Sequence, residues 1–593
     1  MISVCFCEPF LVSGTLPTLG VTTLKSALNE KGISSKIFYP SIELFLKSKI
    51  MLTNNFMELV DDIPLQIAEY LFYEGSVEQA SKILESHNIA NYNIIELEQL
   101  RNNAAKIFDD TLEEIIRCNP KVLAYSFTFR CYNFAKKLFT SVKTHIPDIK
   151  IVVGGSNCTP DFSRTLINEF DTIDYIICDE TPVVFTKLIE SILQKKTIDS
   201  KYITTHSQTA TALKTIGNMD DLPIPDFDDY INIINRHKIS SEFITLPYEI
   251  SRGCWWCQIK PCTMCGFYGN RKNFIIKSPG KVVKELSLLK QKYNVNKFRF
   301  SDLVQPKTEY LWQIQELSKY NLKLFWELRP DVTEEDIYLL RNIGVTFTQI
   351  GIESFSSEQL LEMNKGTTGI HNIYVLLLCS SYKIKVLWNY LYGFEQDLEK
   401  FYTDILHIIP LLYHLPPPIL RKVWINKYSQ DFDLNNVERI ETFSSANSDE
   451  MQTFFNRKPV LSLSNVYDDL KKAIQKWYEG YNKNFGIYID SQNSNYLKIT
   501  RIFEDTVTYE FFDDAAKIYN FFMQPHTLYD AQNELKMEIS TIYEHLQKFM
   551  DYKLMLYLDD RYLALTSRNT AFKTLPEKEQ PLYLTPNIFE REG

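Results

Sequence analysis

The chain has 593 residues, 45% of them hydrophobic and 23% charged; these are the proportions of a folded globular protein, which exclude a disordered chain and at this length imply three or more folding units. A formal charge of −10 argues against nucleic acid or an anionic membrane as partner, since both call for a basic face. There is no apolar run of about 18 residues, and the opening MISVCFCEPFLVSG lacks a basic stretch before a longer apolar one, so a cytoplasmic protein is expected.

The first third alternates short apolar runs with helical patterns. Ile2–Cys7 reads as a strand, Leu19–Lys31 as a helix and Ser35–Tyr39 as a strand, followed by a helical, polar insertion to about Asn119. Val122–Ser126, Ile149–Val153 and Tyr175–Cys178 are further strands; Phe134, Leu138 and Val142 mark a helix face between the first two, and Val183, Phe185, Leu188 and Ile192 mark one after the third. Such alternation predicts an α/β domain over 1–205, Rossmann-like in the flavodoxin-like sense, which takes its ligand at the carboxyl ends of the strands. A polar linker at 206–245 leads to a second series: Tyr248–Ser251, Lys297–Ser301, Leu322–Glu327, Thr346–Ile352 and Lys385–Tyr392. Five or six such units predict a partial TIM-type (β/α) barrel over 246–425, with its chemistry on the loops after the strands. From 426 to 593 the expectation is a helical and winged-helix-like region: helices at Phe511–Phe522 and Leu528–Asp551, then Leu554–Leu558 and Tyr562–Leu565 across an Asp-Asp turn.

Eleven cysteines cannot all pair within one chain, and most lie in apolar runs as small buried hydrophobes. Four fall close together in SRGCWWCQIKPCTMCG: Cys254, Cys257, Cys262 and Cys265. Read as two C-x2-C pairs, they form a zinc knuckle. Read as three ligands and a spectator, they hold an iron–sulfur cluster with one iron left open. A loop after the first barrel strand is where catalytic groups belong, which favours the second reading.

RGCWW, seven residues between Cys254 and Cys262, and the C-x2-C-G that follows resemble the cobalamin-domain radical S-adenosylmethionine (SAM) enzymes, specifically the RiPP-maturation radical SAM C-methyltransferase type, which acts on ribosomally made peptides. FRFSD at 298–302, WELRP at 326–330, QIGIES at 349–354, MNKG at 363–366, WNYLYGF at 388–394 and HLPPP at 414–418 resemble further landmarks of that family in its order. KVLAYSFTF, IVVGGSNC and IDYIICDE resemble its cobalamin-binding half. Departures are Cys257, an extra thiol; Met264, where an aromatic is usual; and Asp179, where a glycine commonly precedes the Glu. No D-x-H-x-x-G supplies a lower cobalt ligand.

The resemblance implies three cofactors: a [4Fe-4S] cluster on Cys254, Cys262 and Cys265, SAM, and cobalamin. It further implies SAM contacts from Gly266, Glu353 and Ser354, with Asp302 and Arg329 as additional candidates, each with a structural salt bridge or strand-end carboxylate as the plain alternative. Gly154, Gly155, Ser156 and Asn157, with Ser126 and Thr128, are the candidates for cobalamin. Trp255 and Trp256 either cover the cluster or pack the loop, and His414 reads as structural. The implied activity is methylation of an unactivated carbon of a precursor peptide, with a flavodoxin or ferredoxin as electron donor. The alternatives are a radical SAM peptide epimerase or crosslinking maturase without methyl transfer and, remotely, a zinc-stabilised binding protein. The C-terminal region is expected to bind the peptide or to cap the barrel.

Overall fold

The computed structural model describes residues 2–10, 16–48, 69–74, 94–127, 132–156, 158–266, 273–395, 397–433, 437–439, 454–457 and 463–567. Strands β1 (Val4–Cys7), β2 (Ser35–Phe38), β3 (Val122–Ser126), β4 (Lys150–Gly154) and β5 (Tyr175–Ile177) form a parallel sheet in the order β2-β1-β3-β4-β5, with β6 (Ile203–Thr204) antiparallel at its edge. Helices cover both faces, so β1 can be apolar throughout: Val4 and Phe6 join Val21, Leu28, Phe185 and Leu188 on one side, while Cys5 and Cys7 join Phe134, Leu138 and Leu166 on the other. The strand order reverses between β1 and β3, and the carboxyl ends of those strands form the switch point of a flavodoxin-like sheet. The 206–245 segment carries the helix Asp228–Arg236, which is tied to this domain by Asp229: its carboxylate accepts the Lys25 ammonium at 2.7 Å and the Ile37 N–H at 2.9 Å.

The second sheet begins at β7 (Thr245–Tyr248). A short antiparallel ladder, β8 (Ser251–Arg252) with β9 (Ile275–Ile276), brackets the cysteine loop; β10 (Lys297–Phe300), β11 (Lys323–Leu328), β12 (Val345–Glu353), β13 (Lys385–Tyr392) and β14 (Ile419–Lys422) follow. The six long-sheet strands are parallel in the order β14-β13-β12-β11-β10-β7, an open arc of a (β/α) barrel. The first strand lies three residues upstream of its expected place and includes Pro247, which an edge strand tolerates. Phe300, Trp326, Trp388 and Tyr390 fill the interior and are fully buried.

Beyond the barrel, β15 (Trp424–Asn426), β16 (Val437–Arg439) and β17 (Phe454–Arg457) form a small antiparallel sheet, and the helix Ser464–Asn482 packs Trp477 on Trp388 at 5.9 Å. The helix expected at Phe511–Phe522 runs Asp513–Phe521, and the 426–593 expectation does not include the strands before it. A meander of β18 (Gly486–Asn493), β19 (Tyr496–Ile502) and β20 (Thr506–Phe512) precedes the helix Asp513–Phe521. In β20, Val507, Tyr509 and Phe511 alternate with exposed Thr506, Thr508, Glu510 and Phe512, a period-two pattern. The expected helix at 528–551 is two, Leu528–Leu535 and Ile539–Asp551, divided where Lys536 adopts a left-handed conformation with φ +57°. A hairpin of β21 (Met555–Leu558) and β22 (Arg561–Ala564) turns on Asp559 and Asp560, both at positive φ as a type I′ turn requires.

This region is fastened to the barrel. The Asp559 carboxylate accepts the Ile370 N–H at 2.9 Å, and the Trp477 indole donates to the Leu415 carbonyl at 2.8 Å. His414 Nε2 lies 2.9 Å from the Leu565 carbonyl, and burial lowers the imidazole pKa to about 4. His414 is therefore a neutral structural link. Among the described residues no helix is long and apolar enough to cross a membrane.

Candidate active site

The cysteine loop leaves the carboxyl end of the first barrel strand and is anchored where it starts. Asp302, 1% exposed, follows β10; its carboxylate accepts the N–H groups of Ile250 and Ser251, and the Ser251 hydroxyl at 2.6 Å. The side chain is thus committed to holding the loop's entry. Gly253, at φ +85°, crosses so close to Asn273 that a Cβ would stand 2.2 Å from its carbonyl oxygen.

Past the anchor, the turn at Met363–Gly366 grips both limbs of the loop. On the first limb, the Trp256 indole donates to the Asn364 carbonyl at 2.9 Å, and its ring fills the space a side chain at Gly366 would need. On the second, Thr263 N–H donates to the Met363 carbonyl at 3.2 Å and Cys262 Sγ lies 3.7 Å from that of Asn364. Arg329 stacks over Trp256 at 4.4 Å, donates to the Lys365 carbonyl and pairs with Asp331 at 3.1 Å. Trp255 donates to the Gln305 carbonyl at 3.0 Å. Both tryptophans and Arg329 therefore shape the loop.

Cys254, Cys262 and Cys265 are half-buried, whereas Cys257 is 8% exposed. Burial pushes the Cys254 thiol pKa up, opposed by the backbone N–H groups of Cys257 and Trp256 and by the Arg329 charge. Among the described residues no group of three His, Cys, Asp or Glu side chains is arranged to hold a metal ion. Met264 packs away from the loop's open side, against the cluster of Met363, Val423 and Ile425. At Gly266 a Cβ would stand 2.1 Å from the Asn426 side chain, so β15 itself demands glycine there.

Glu353 ends β12 at a shift in register against β13 and takes φ +65°, a left-handed conformation rare outside glycine. Its carboxylate faces the Lys365 ammonium at 3.3 Å, with both side chains largely buried. Gly351 leaves room for the pair: a Cβ would be 3.0 Å from Nζ. Ser354 is fully buried; its hydroxyl accepts the Ser356 N–H at 3.0 Å and lies 3.5 Å from the Tyr390 hydroxyl.

In the N-terminal domain Gly154 ends β4, paired across to Ser126 at the end of β3. Gly155 and Ser156 are exposed. Gly155 has φ +116° and a Cβ there would be 2.2 Å from the Phe127 carbonyl oxygen, so the chain's own path needs this glycine. A Cβ at Gly154 would make only an ordinary contact, 3.9 Å from the Ile177 carbonyl oxygen, so this glycine is not demanded by the chain's own packing. Thr128 and Asn157 lie outside the described residues. Asp179 caps the helix Pro182–Leu193 by accepting the N–H groups of Thr181 and Val184, which accounts for an acid at that position. Glu8, which composition did not single out, follows β1 at the switch point; it is 1% exposed and burial raises its pKa to about 8. Its only sequence signal is a lone acid in an apolar run.

Two contacts join the halves at these ends. Arg252, two residues before Cys254, donates to the Glu180 carbonyl at 2.5 Å, just beyond β5. Lys427, beside Asn426, lies 5.8 Å over the Phe162 ring, on the helix that follows the GGSN loop. The carboxyl end of the flavodoxin-like sheet therefore meets the side of the barrel that bears the cysteine loop.

No protein-family model matches the chain. It is 23% identical over 305 residues to the anaerobic magnesium-protoporphyrin IX monomethyl ester cyclase of Rubrivivax gelatinosus, covering 49% of this chain and 54% of that protein. It is 25% identical over 232 residues to bacteriochlorophyllide d C-12(1)-methyltransferase of Chlorobaculum tepidum, covering 37% and 48%. The chain thus spans about half the length of the curated relatives it matches. Among solved structures it superposes on the radical SAM methyltransferase TsrM of Kitasatospora setae, bound to cobalamin and a [4Fe-4S] cluster, with TM-score 0.53 and 12% identity over 80% of this chain and 91% of that one. On OxsB, a cobalamin-dependent SAM radical enzyme bound to aqua-cobalamin and SAM, the TM-score is 0.50 at 15% identity over 93% and 72%. At these identities the likeness to TsrM and OxsB is one of fold alone.

Proposed function

We propose that the chain is a cobalamin-dependent radical SAM methyltransferase whose substrate is a ribosomally made precursor peptide, modified at an unactivated carbon. The observation that carries the cofactor reading is the meeting of the cysteine loop with the carboxyl end of the flavodoxin-like sheet through Arg252 and Lys427. Cys254, Cys262 and Cys265 are the ligands of the cluster, and the open side near Gly154 and Ser126 is the place for cobalamin. Bound together, the cluster and SAM would supply the hydrogen-abstracting chemistry and methylcobalamin the methyl group.

The chain's own residues bind and orient. The Met363–Gly366 turn, with Trp256, Arg329 and Asp302, fixes the loop against the barrel, so the thiols are presented from a rigid support. Glu353 and Lys365 place a balanced pair of charges at the carboxyl end of β12. A zwitterionic amino-acid group such as that of SAM is complementary to such a pair. The peptide substrate rests on the likeness of the motif series, and the C-terminal region is its proposed docking element.

The test is mass spectrometry of a candidate precursor incubated anaerobically with reconstituted enzyme, reductant and SAM bearing an isotopically labelled methyl. A labelled methylene gained on a peptide carbon supports the reading. An unchanged mass, or loss of two hydrogens, assigns the chain to epimerising or crosslinking chemistry instead.

A further inference from the structure

We propose that Asn426 is a SAM-binding residue: its side-chain amide, set against Gly266 just beyond the third cluster cysteine, donates an Nδ2 hydrogen to an acceptor atom of SAM. The proposal rests on the iron–sulfur reading of the loop.

Asn426 ends β15, a strand beyond the barrel, and is 7% exposed. Its amide fills the space a side chain at Gly266 would need: a Cβ there would stand 2.1 Å from Cγ and 2.2 Å from Oδ1. Nδ2 is one amide bond, about 1.3 Å, from that Cγ and so borders the same glycine.

A clasp holds the two together. The Thr263 carbonyl accepts the N–H groups of Gln430 at 3.0 Å and Asp431 at 3.3 Å, and the Thr263 hydroxyl donates to the Asp431 carboxylate at 3.0 Å. The clasping turn is itself closed by the Asn426 carbonyl, which accepts the N–H and the hydroxyl of Ser429 at 2.9 and 2.7 Å. The limb from Thr263 to Gly266, which carries Cys265, is therefore pinned to the segment that begins at Asn426.

The orientation of the amide is fixed as well. The Tyr428 N–H donates to Asn426 Oδ1 at 2.9 Å. Only the oxygen of an amide can meet an N–H, so Oδ1 faces the turn and Nδ2 is directed away from it. Among the described residues no acceptor meets Nδ2. A donor so nearly buried is costly to leave unpaired, and such groups in folded proteins almost always find a partner. SAM, on the iron that the three cysteines leave open, carries acceptors of the required kind in its carboxylate, ribose and adenine. Packing against Gly266 needs the shape of the amide and not its donor, so exchanging donor for acceptor separates a binding role from a structural one.

The test uses the full chain, reconstituted anaerobically with iron and sulfide, as wild type, Asn426→Asp and Asn426→Ser. Aspartate has the shape of asparagine and still accepts the Tyr428 N–H, so Asn426→Asp keeps the turn and removes the donor. Asn426→Ser also accepts that N–H, adds no charge and lacks the reach. Iron and sulfide content and the urea midpoint report on the loop, and equilibrium dialysis with radiolabelled SAM gives Kd. Electron paramagnetic resonance of the reduced cluster follows the change that added SAM produces. Both variants are expected to load as wild type does and to bind SAM about tenfold more weakly, with the spectral change needing correspondingly more SAM. A loaded variant of either kind that binds SAM with wild-type affinity overturns the proposal. If one variant does not load, the other decides; failure of both assigns Asn426 to supporting the loop and likewise overturns it. A wild-type chain that takes up no iron and sulfide, or binds no SAM once loaded, overturns the reading beneath it.

Discussion

Replacing Asp302 with asparagine is expected to flatten the pH dependence of the barrel's stability. The carboxyl is 1% exposed, and burial raises its pKa from the ordinary 3.8 to about 7. The folded-state value lies above the unfolded one, so across that window the folded protein keeps a proton that the unfolded chain has released. Stability is therefore greatest below the unfolded value and falls as pH rises through the folded one. A gap of about 3 units is worth about 4 kcal/mol in all, of which about 3 kcal/mol is lost between about pH 5 and about pH 8. The amide in Asp302→Asn cannot ionise; it places an NH2 near the Ile250 and Ser251 donors, a cost that does not vary with pH. Glu8 titrates with the same sign in both proteins and cancels in the difference. Urea midpoints of the cofactor-free chains, followed by barrel tryptophan fluorescence at a series of pH values, give that difference directly. Wild-type and variant curves that run parallel from about pH 5 to about pH 8 would refute the reasoning.

Cys254→Ala, Cys262→Ala and Cys265→Ala should each abolish iron and sulfide uptake, while Cys257→Ala largely spares it; loss confined to Cys257→Ala would show that the ligands were misassigned. Gly154→Leu should lower retention of hydroxocobalamin through gel filtration with iron content and urea midpoint intact. Gly155→Leu should instead destabilise the N-terminal domain, because its Cβ meets the Phe127 carbonyl; equal stability of the two variants would remove that distinction. Lys365→Met leaves the Glu353 carboxylate largely buried and unpaired, a loss of about 3 kcal/mol in urea denaturation, and adding Glu353→Gln should recover most of it. A double variant as unstable as the single would show that the pair does not act as one.

Much of the architecture was legible because parallel sheets demand apolar strands at regular intervals. Val122–Ser126 and Lys385–Tyr392 are found at the residues expected, each between clear helical patterns. The first barrel strand contains Pro247, a residue that reads against a strand in sequence, and β6 is a two-residue edge strand too short to leave a periodic signal. The C-terminal meander is a different case: the period-two alternation of 506–512 runs without a break into the helix from Asp513, and the aromatic residues at the junction fit either period. At the site, the cysteine spacing and the motifs after the barrel strands were visible, but what the side chains do was not. Asp302 serves the backbone of residues 250–251, and the Met363–Gly366 turn grips a loop about 100 residues earlier in the chain. Such contacts across the barrel mouth leave no trace in local periodicity. The glycines illustrate the same limit: Gly155, Gly266 and Gly366 are required by Phe127, Asn426 and Trp256, while Gly154 alone of the four is not demanded by the chain's own packing.

In the proposed function one chain holds an open-sited iron–sulfur cluster and cobalamin together. Its most direct test is anaerobic reconstitution of the full chain with iron, sulfide and hydroxocobalamin, followed by gel filtration, metal and sulfide analysis, and assay of 5′-deoxyadenosine released from SAM under reducing conditions. About four irons and four sulfides per chain, retained cobalamin, and 5′-deoxyadenosine formation that disappears in Cys254→Ala are expected. Bound zinc without sulfide, no retained cobalamin and intact SAM would contradict it.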